Sequence, residues 1–384
     1  MKLKIFLILF NILILNFKSQ AEFTYANTFV EWESARLQIY KDNLSLFTKD
    51  EKTPSFLSLN VSDKNINLEI ENIIFSLLVN DIRAVNGLEI RLSEKRNAED
   101  YLYYSIPLFH DYEFNFIKSS TKTEIGLSKA NFKLKGNSFK KINFLSIYFA
   151  ANTNDTRLSL WPIRKTKKES QGVLTLTFDD GPNDNIKAAK ILKEYDIPAT
   201  AYIMPNALNK KGFLTSKELK SLTNKNWDIE SHHETPFTYL SENTLNKEIT
   251  DIENFLIKNK YKKSNFHLAY PLGKTNESVT SVVSKRFSTA RIASGGIETI
   301  PPANTHMLRS FNVLKTTTPE ELKEVIAKTK EAKQWLILMF HHIKDKPVDD
   351  IDYSTDNFKE LAKIISESGI NVMTINEVWN KYLK

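Results

Sequence analysis

The stretch Val173-Leu174-Thr175-Leu176-Thr177-Phe178-Asp179-Asp180-Gly181-Pro182 decides the fold. Residues 173–178 are apolar or β-branched, the composition of a strand with both faces buried, and the Asp-Asp-Gly-Pro that follows is turn chemistry. Downstream the alternation of strand and helix repeats. Helical spacing over 186–195 leads through Pro198 to a strand at 199–204, and another strand follows at 227–231. Ser241 caps a long amphipathic helix that runs to 258, with Ile249, Ile252, Phe255 and Leu256 at helical spacing. Strands are expected at 267–272, 288–293, 307–314 and 335–340, helices at 319–332 (after the cap Thr318) and 355–368, and a closing strand at 371–375. Repeated units of this kind predict a parallel barrel or an open parallel sheet with helices outside, and periodicity does not separate the two.

Toward the N-terminus the pattern changes. A basic run at 164–172 marks a boundary, and before it the chain reads as β. Leu57, Leu59 and Val61 alternate with polar residues, as do Ile66, Leu68 and Ile70; Leu88, Ile90 and Leu92; Leu145, Ile147 and Phe149; and Leu158 and Leu160. Period-two strands between polar turns predict an all-β sandwich, jelly-roll-like, over 22–165, ahead of the α/β unit over 166–384. Tyr101, Tyr103 and Tyr104 read as strand packing, with stacking on sugar rings as the alternative. Two domains agree with a length of 384 residues. Residues 1–21 combine basic Lys2 and Lys4, an apolar core at 5–15 and a Ser19-Gln20-Ala21 end, the three parts of a secretory signal peptide. That core is too short for the ~30 Å of membrane hydrocarbon. The mature chain is therefore expected to be exported, to the periplasm or extracellular space, without a stable membrane span.

The chain has no cysteine, which excludes disulfides, Cys-ligated zinc, iron–sulfur clusters and a thiol nucleophile. The formal net charge is +7, and Lys2, Lys4 and Lys18 of the signal supply part of it. The remainder is too small and dispersed to argue for a nucleic-acid partner.

Polar residues gather at the C-terminal ends of the expected strands, the rim on which barrel active sites are built. Asp179 and Asp180 end the first, His232 and His233 the third and Pro271-Leu272-Gly273 the fourth, while His341 and His342 follow the run 335–340. Singly, each has a plainer explanation as a turn-capping Asp or a hydrogen-bonded structural histidine, and His110, His267 and His306 are read as structural. Together, carboxylates and imidazoles on one rim suit a borderline ion such as Zn2+ with a position open to water. Such an ion lowers the pKa of its water from ~15.7 toward ~7. A second carboxylate can take that proton, and a histidine can protonate a leaving nitrogen. The rim therefore points to metal-assisted hydrolysis of an amide or ester.

The stretch 176–182 resembles the opening motif of the NodB-homology polysaccharide deacetylases, carbohydrate esterase family four. Ala269-Tyr270-Pro271-Leu272-Gly273 resembles that family's third motif, Leu338-Met339-Phe340-His341 its last, and 353–378 its C-terminal part. The resemblance spans about 172–380 and implies a distorted (β/α) barrel; a β-sandwich ahead of it is likewise seen in exported relatives. It also implies Asp179 as catalytic base, His341 as acid toward the leaving amine, Asp180 and His232 as metal ligands, and Tyr270, Pro271 and Leu272 on the substrate side. The implied cofactor is a divalent metal, Zn2+, and the implied partners are N-acetylated sugar polymers (chitin-like, peptidoglycan or surface glycan). Two departures stand out. The second motif normally has another histidine four residues after the first, where this chain has Pro236; either His233 or Glu234 replaces that ligand, or the metal site is weak or lost. The third motif's arginine is absent, with Ala269 near its place, so the base has no assigned holder. The leading expectation is an exported metal-dependent deacetylase of an N-acetylhexosamine polymer. The alternative is a carbohydrate-binding or scaffold protein that keeps the barrel without turnover. A glycosidase would leave the rim histidines without a role.

Overall fold

The computed structural model describes residues 30–33, 35–39, 43–48, 54–96, 98–108, 115–261 and 266–384. The expected signal peptide at 1–21 and His110 lie outside them.

Val173–Phe178 is buried at every position, as its two-sided apolar composition requires. It pairs in parallel with Trp335–Phe340 on one side, Val173 opposite Trp335 through Phe178 opposite Phe340, and with Ala199–Ile203 on the other. From Ala199–Ile203 the pairing continues through Trp227–Ser231, His267–Ala269, Thr289–Gly295 and Leu308–Asn312 back to Trp335–Phe340. These seven parallel strands close into a barrel, the alternative that periodicity leaves undecided. Asn371–Val372 joins beside Val173 and Leu174, outside the ring. The expected strand at 371–375 is cut short there because the Thr374 hydroxyl accepts from the Glu377 amide and opens the helix Ile375–Val378.

Helices cover the outside. Ser241 and Thr318 cap Glu242–Lys258 and Pro319–Ala332 through the amides of Thr244 and Glu321. Two shorter helices escape the periodicity. Ser216–Thr223 starts at a Thr215–Glu218 capping box, and Glu277–Val283 starts where Asn276 accepts from the Val279 amide. The two faces of the barrel strands serve different cores. Phe178 packs outward on Trp227, Phe340 and Phe358. Tyr202, Leu308, Trp335 and Ile337 form a second buried cluster with Ile375 and Val378, and the Trp335 indole donates to the Thr175 hydroxyl at 2.9 Å.

The N-terminal strands form two antiparallel sheets of six strands each. One orders Val30–Glu33, Ser55–Asn60, Phe144–Ala151, Val85–Ser93, Tyr101–Ser105 and Lys133–Lys135. The other orders Arg164–Lys167, Glu71–Val79, Arg157–Leu160, Leu44–Thr48 and Ala35–Ile39, with Thr123–Leu127 also against Glu71–Val79. The alternating residues Leu57, Leu59, Leu88, Ile90, Leu145 and Ile147 of the first sheet join Leu46, Phe75, Leu77 and Leu158 of the second in one buried cluster. The alternation at Ile66, Leu68 and Ile70 makes no strand. Ile66 forms only an isolated bridge to Ile142, and Ile70 is 60% exposed. Turn chemistry wins there: Asn65 is left-handed (φ 46°) and the Asn67 side chain accepts from the Glu69 amide. The basic run at 164–172 begins as a sheet strand, because Arg164–Lys167 pairs with Glu71–Val79.

Candidate active site

Asp179 follows Phe178, and strand alternation turns its side chain opposite to that of Phe178. The carboxylate is almost fully buried and is clamped by Arg291, whose Nη2 lies 2.5 and 2.6 Å from its two oxygens. Arg291 is itself held inside the barrel. Its Nη1 donates to the Ile292 carbonyl at 3.1 Å and to Met339 Sδ at 2.8 Å, and the Tyr202 ring centroid is 5.1 Å from its Cζ. Arg291 is thus the holder of the base that the third motif lacks, supplied by the strand Thr289–Gly295. Its signal is present in the sequence as a lone arginine in an otherwise small and apolar strand, where a buried cation demands an anion.

The next residue reverses the backbone. Asp180 adopts φ 68° and Gly181 φ 78°, and the Gly181 amide donates to the Asp179 carbonyl at 2.8 Å. A Cβ on Gly181 would come within 2.8 Å of the tip of Ile203, Cδ1, and the positive φ is what favours glycine at this turn. The reversal brings Asp180 Oδ1 to 3.2 Å from His232 Nε2. The other nitrogen of that ring, Nδ1, is bonded to the Ala269 carbonyl at 2.8 Å, which makes Nδ1 the donor and presents Nε2 to Asp180. Burial pushes the His232 pKa down, but the hydrogen bond the imidazole donates to Asp180 and the charges of Asp179 and Asp180 outweigh it and hold the imidazole above its ordinary value. Burial likewise pushes Asp180 up, and His232, with the fields of His341 and His342, leaves it below the usual carboxylate range.

A carboxylate oxygen and an imidazole nitrogen that face each other, the imidazole braced by a carbonyl, are a donor pair suited to a divalent ion. Among the described residues no third His, Asp or Glu completes the group. The expectation for His233 is corrected here. Its Nδ1 accepts from the Thr235 amide at 3.0 Å, its Nε2 faces Glu248 Oε2 at 3.4 Å and its ring packs on Phe237. Neighbouring residues at a strand end point to opposite sides, so His233 serves the loop and not the ion. Glu234 does not replace it either, being exposed and bonded to the Asn206 amide at 3.3 Å. Asp180 and His232 are therefore the two side chains that would contribute to holding an ion.

His341 stands on the same rim. Its Nδ1 is buried without a hydrogen-bond partner among the described residues, and the Asn185 amide bonds its carbonyl at 3.3 Å. Burial lowers the His341 pKa, against the opposing charges of Asp179 and Asp180. His342 turns to Asp184 Oδ2 at 2.8 Å, a hydrogen bond that raises its pKa. The substrate-side group separates. The Tyr270 side chain is buried among core residues and Pro271 is buried beside it. Leu272 projects outward at 56% exposure, in the left-handed region with φ 54°. His267 and His306 are structural: His267 Nδ1 meets the Thr289 hydroxyl at 2.9 Å, and His306 Nε2 the Phe287 carbonyl at 2.8 Å.

The chain is similar to known proteins over part of its length. Residues 166–286 match the family model described as polysaccharide deacetylase. The chain is 30% identical over 139 residues to the poly-beta-1,6-N-acetyl-D-glucosamine N-deacetylase of Staphylococcus aureus (strain MSSA476), a match covering 32% of this chain and 48% of that protein. It is 28% identical over 126 residues to YxkH of Bacillus subtilis (strain 168), covering 32% and 45%. The chain thus spans about half the length of the curated relatives it matches. Among solved structures, the Streptococcus pyogenes deacetylase PplD in complex with acetate is 23% identical with a TM-score of 0.36, over 39% of this chain and 69% of that one. Bacillus subtilis PdaA, a family 4 carbohydrate esterase, is 15% identical with a TM-score of 0.38, over 56% and 86%. Residues 166–286, the segment that carries Asp179, Asp180 and His232, are thus similar to the polysaccharide deacetylase family.

Proposed function

We propose that the chain removes N-acetyl groups from an N-acetylhexosamine polysaccharide with the help of a divalent ion, taken as Zn2+. The observation that carries this reading is the clamped base Asp179 beside the facing pair Asp180 and His232, with the unpartnered nitrogen of His341 on the same rim. Asp180 and His232 would hold the ion, which when bound polarises the acetamide carbonyl and acidifies water. Asp179 accepts the proton of the attacking water, and Arg291 fixes the orientation of both its oxygens so that no reorganisation is needed at that moment. Water adds to the acetamide carbon, the C–N bond breaks and acetate departs with the oxygen of that water. His341 gives the leaving nitrogen its proton, and a lowered pKa makes the protonated ring a ready donor. A surface glycan as substrate suits the name of the Staphylococcus aureus relative and the signal-like residues 1–21. Among the described residues no helix is long and apolar enough to cross a membrane. We read the two N-terminal sheets as the faces of a sandwich over 22–165, with the barrel unit over 166–384.

A second reading, a glycan-binding barrel without turnover, is favoured by one observation, the lack of a third protein donor beside Asp180 and His232. Acetate release from peptidoglycan and from N-acetylglucosamine oligomers, with and without chelator, separates the two. The deacetylase reading expects release that stops with chelator and returns with zinc. Glycan binding with no release from either substrate would establish the binder.

A further inference from the structure

The loop 179–185, which carries the base, runs beside the segment 340–343, which carries the acid, and the two are bonded residue by residue. The Asp179 main-chain N–H donates to the Phe340 carbonyl at 2.9 Å, and the Asn185 side-chain amide donates to the His341 carbonyl at 3.3 Å. His342 Nδ1 donates to Asp184 Oδ2 at 2.8 Å, and the Ile343 N–H donates to Asp184 Oδ1 at 3.3 Å. The pairing of Val173–Phe178 with Trp335–Phe340 is thus carried past the strand ends by two side chains. Asp184 occupies the N-cap of the helix Asn185–Lys193, where a carboxylate ordinarily accepts from the amides of its own helix. Every other α-helix among the described residues has a side-chain cap of that kind. Asp184 makes none and reaches across to His342 and Ile343 instead. On the far side, His342–Lys344 pairs in parallel with Asp352–Ser354, and Ile343 is fully buried.

We propose that Asp184 and Asn185 are positioning residues that fix the His341 imidazole as proton donor to the leaving nitrogen, by holding the main chain at 341–343. The proposal rests on the deacetylase reading and adds two residues to it. A histidine ring is ordinarily oriented through a hydrogen bond at its second nitrogen, as the Ala269 carbonyl orients His232. His341 Nδ1 has no such partner among the described residues, so the direction of its ring is inherited from the main chain that bears it. Proton transfer needs donor and acceptor within about 2.6–3.2 Å, and a ring swung away by a loosened backbone loses that reach. The other parts of the site do not depend on this grip. Asp179 is clamped by Arg291, and His232 is braced by the Ala269 carbonyl. Release of Asp184 or Asn185 therefore harms the step that needs a proton on the leaving group and spares the attack of water.

The test compares acetate release by the zinc-loaded chain from the tetramer of N-acetylglucosamine, an amide, and from para-nitrophenyl acetate, whose leaving group needs no proton. In Asp184→Ala the amide kcat is expected to fall by about a hundredfold, the scale of an ångström's misplacement, with KM little changed. The aryl acetate rate stays near that of the wild type. Asn185→Ala behaves likewise, and Asp184→Asn, which can still accept from the Ile343 amide, recovers most of the amide rate. Where Asp184→Ala does not fold, His342→Ala removes the shortest of these side-chain contacts from its other partner and carries the same expectation. Equal losses on the two substrates, or an undiminished amide rate in a folded variant, overturn the proposal. A second readout needs no turnover. In the metal-free protein the ring-proton resonances of His341, assigned by their disappearance in His341→Gln, are single and sharp in the wild type and in Asp184→Asn. They broaden or double in Asp184→Ala, and a spectrum unchanged there overturns the proposal. Failure of the wild type to release acetate from either substrate overturns the deacetylase reading instead, and the resonances still decide whether Asp184 fixes the His341 ring.

Discussion

Arg291 and Asp179 are two buried ions, each tolerable only because the other is present. Arg291→Leu leaves the Asp179 carboxylate buried and alone. Urea unfolding should show a loss of about 3–5 kcal/mol, the scale for breaking one side of a buried pair, together with loss of acetate release; a change below ~1 kcal/mol would mean that the carboxylate finds water or another partner. His267 provides a pH test away from the metal pair. Burial pushes its pKa down from the ordinary 6.5 to about 4. The unfolded chain therefore takes up this proton first, so the contribution of His267 is fully present above pH 6.5 and is lost as pH falls toward 4. Wild-type protein should lose roughly 3 kcal/mol more than His267→Gln across that interval, and identical pH profiles would contradict the assignment. At this scale the sequence is readable where a residue ends a strand: Asp179, Asp180, His232 and His341 all reach one rim. It is misleading where neighbours share a chemistry, since only the strand's alternation separates His232 from His233. Arg291 is invisible to a motif search because its partner lies on another strand.

Elements were legible where a cap or a turn residue fixes their ends. Pro319–Ala332 and Thr355–Ser368 begin at Thr318 and Ser354, whose hydroxyls accept the amides of Glu321 and Asn357. Ser216–Thr223 and Glu277–Val283 are two turns long and too short for a 3.6-residue period to stand out, although Thr215 and Glu218 are a readable capping box. The false strand at Ile66, Leu68 and Ile70 shows the converse, a period of two overruled by Asn65 and Asn67. The turn after the first barrel strand is the element on which the site depends. Gly181→Ala places a Cβ at a positive φ and so strains the turn that presents the Asp180 carboxylate to His232. The variant should stay folded while losing most of its zinc affinity by calorimetry; affinity equal to wild type would show that the turn can relax without moving the ligand.

At the scale of the whole molecule, closure of the barrel follows from long-range pairing, such as Val173 with Trp335, which no local periodicity encodes. The barrel is also tied to the N-terminal sheets through buried polar contacts. Arg309 and Glu298 form a buried ion pair, and Arg309 Nη2 donates across to the Gly126 carbonyl at 2.7 Å. Gly126 has no room for a side chain against Thr299. That fixed frame sets Asp180 and His232 face to face, and the functional account depends on this pair holding a metal ion. The most direct measurement is calorimetric titration of zinc into the dialysed, metal-free chain and into Asp180→Ala. The account predicts saturable binding of a single ion by the wild type and none by the variant. No binding by the wild type, or undiminished binding by Asp180→Ala, would contradict it.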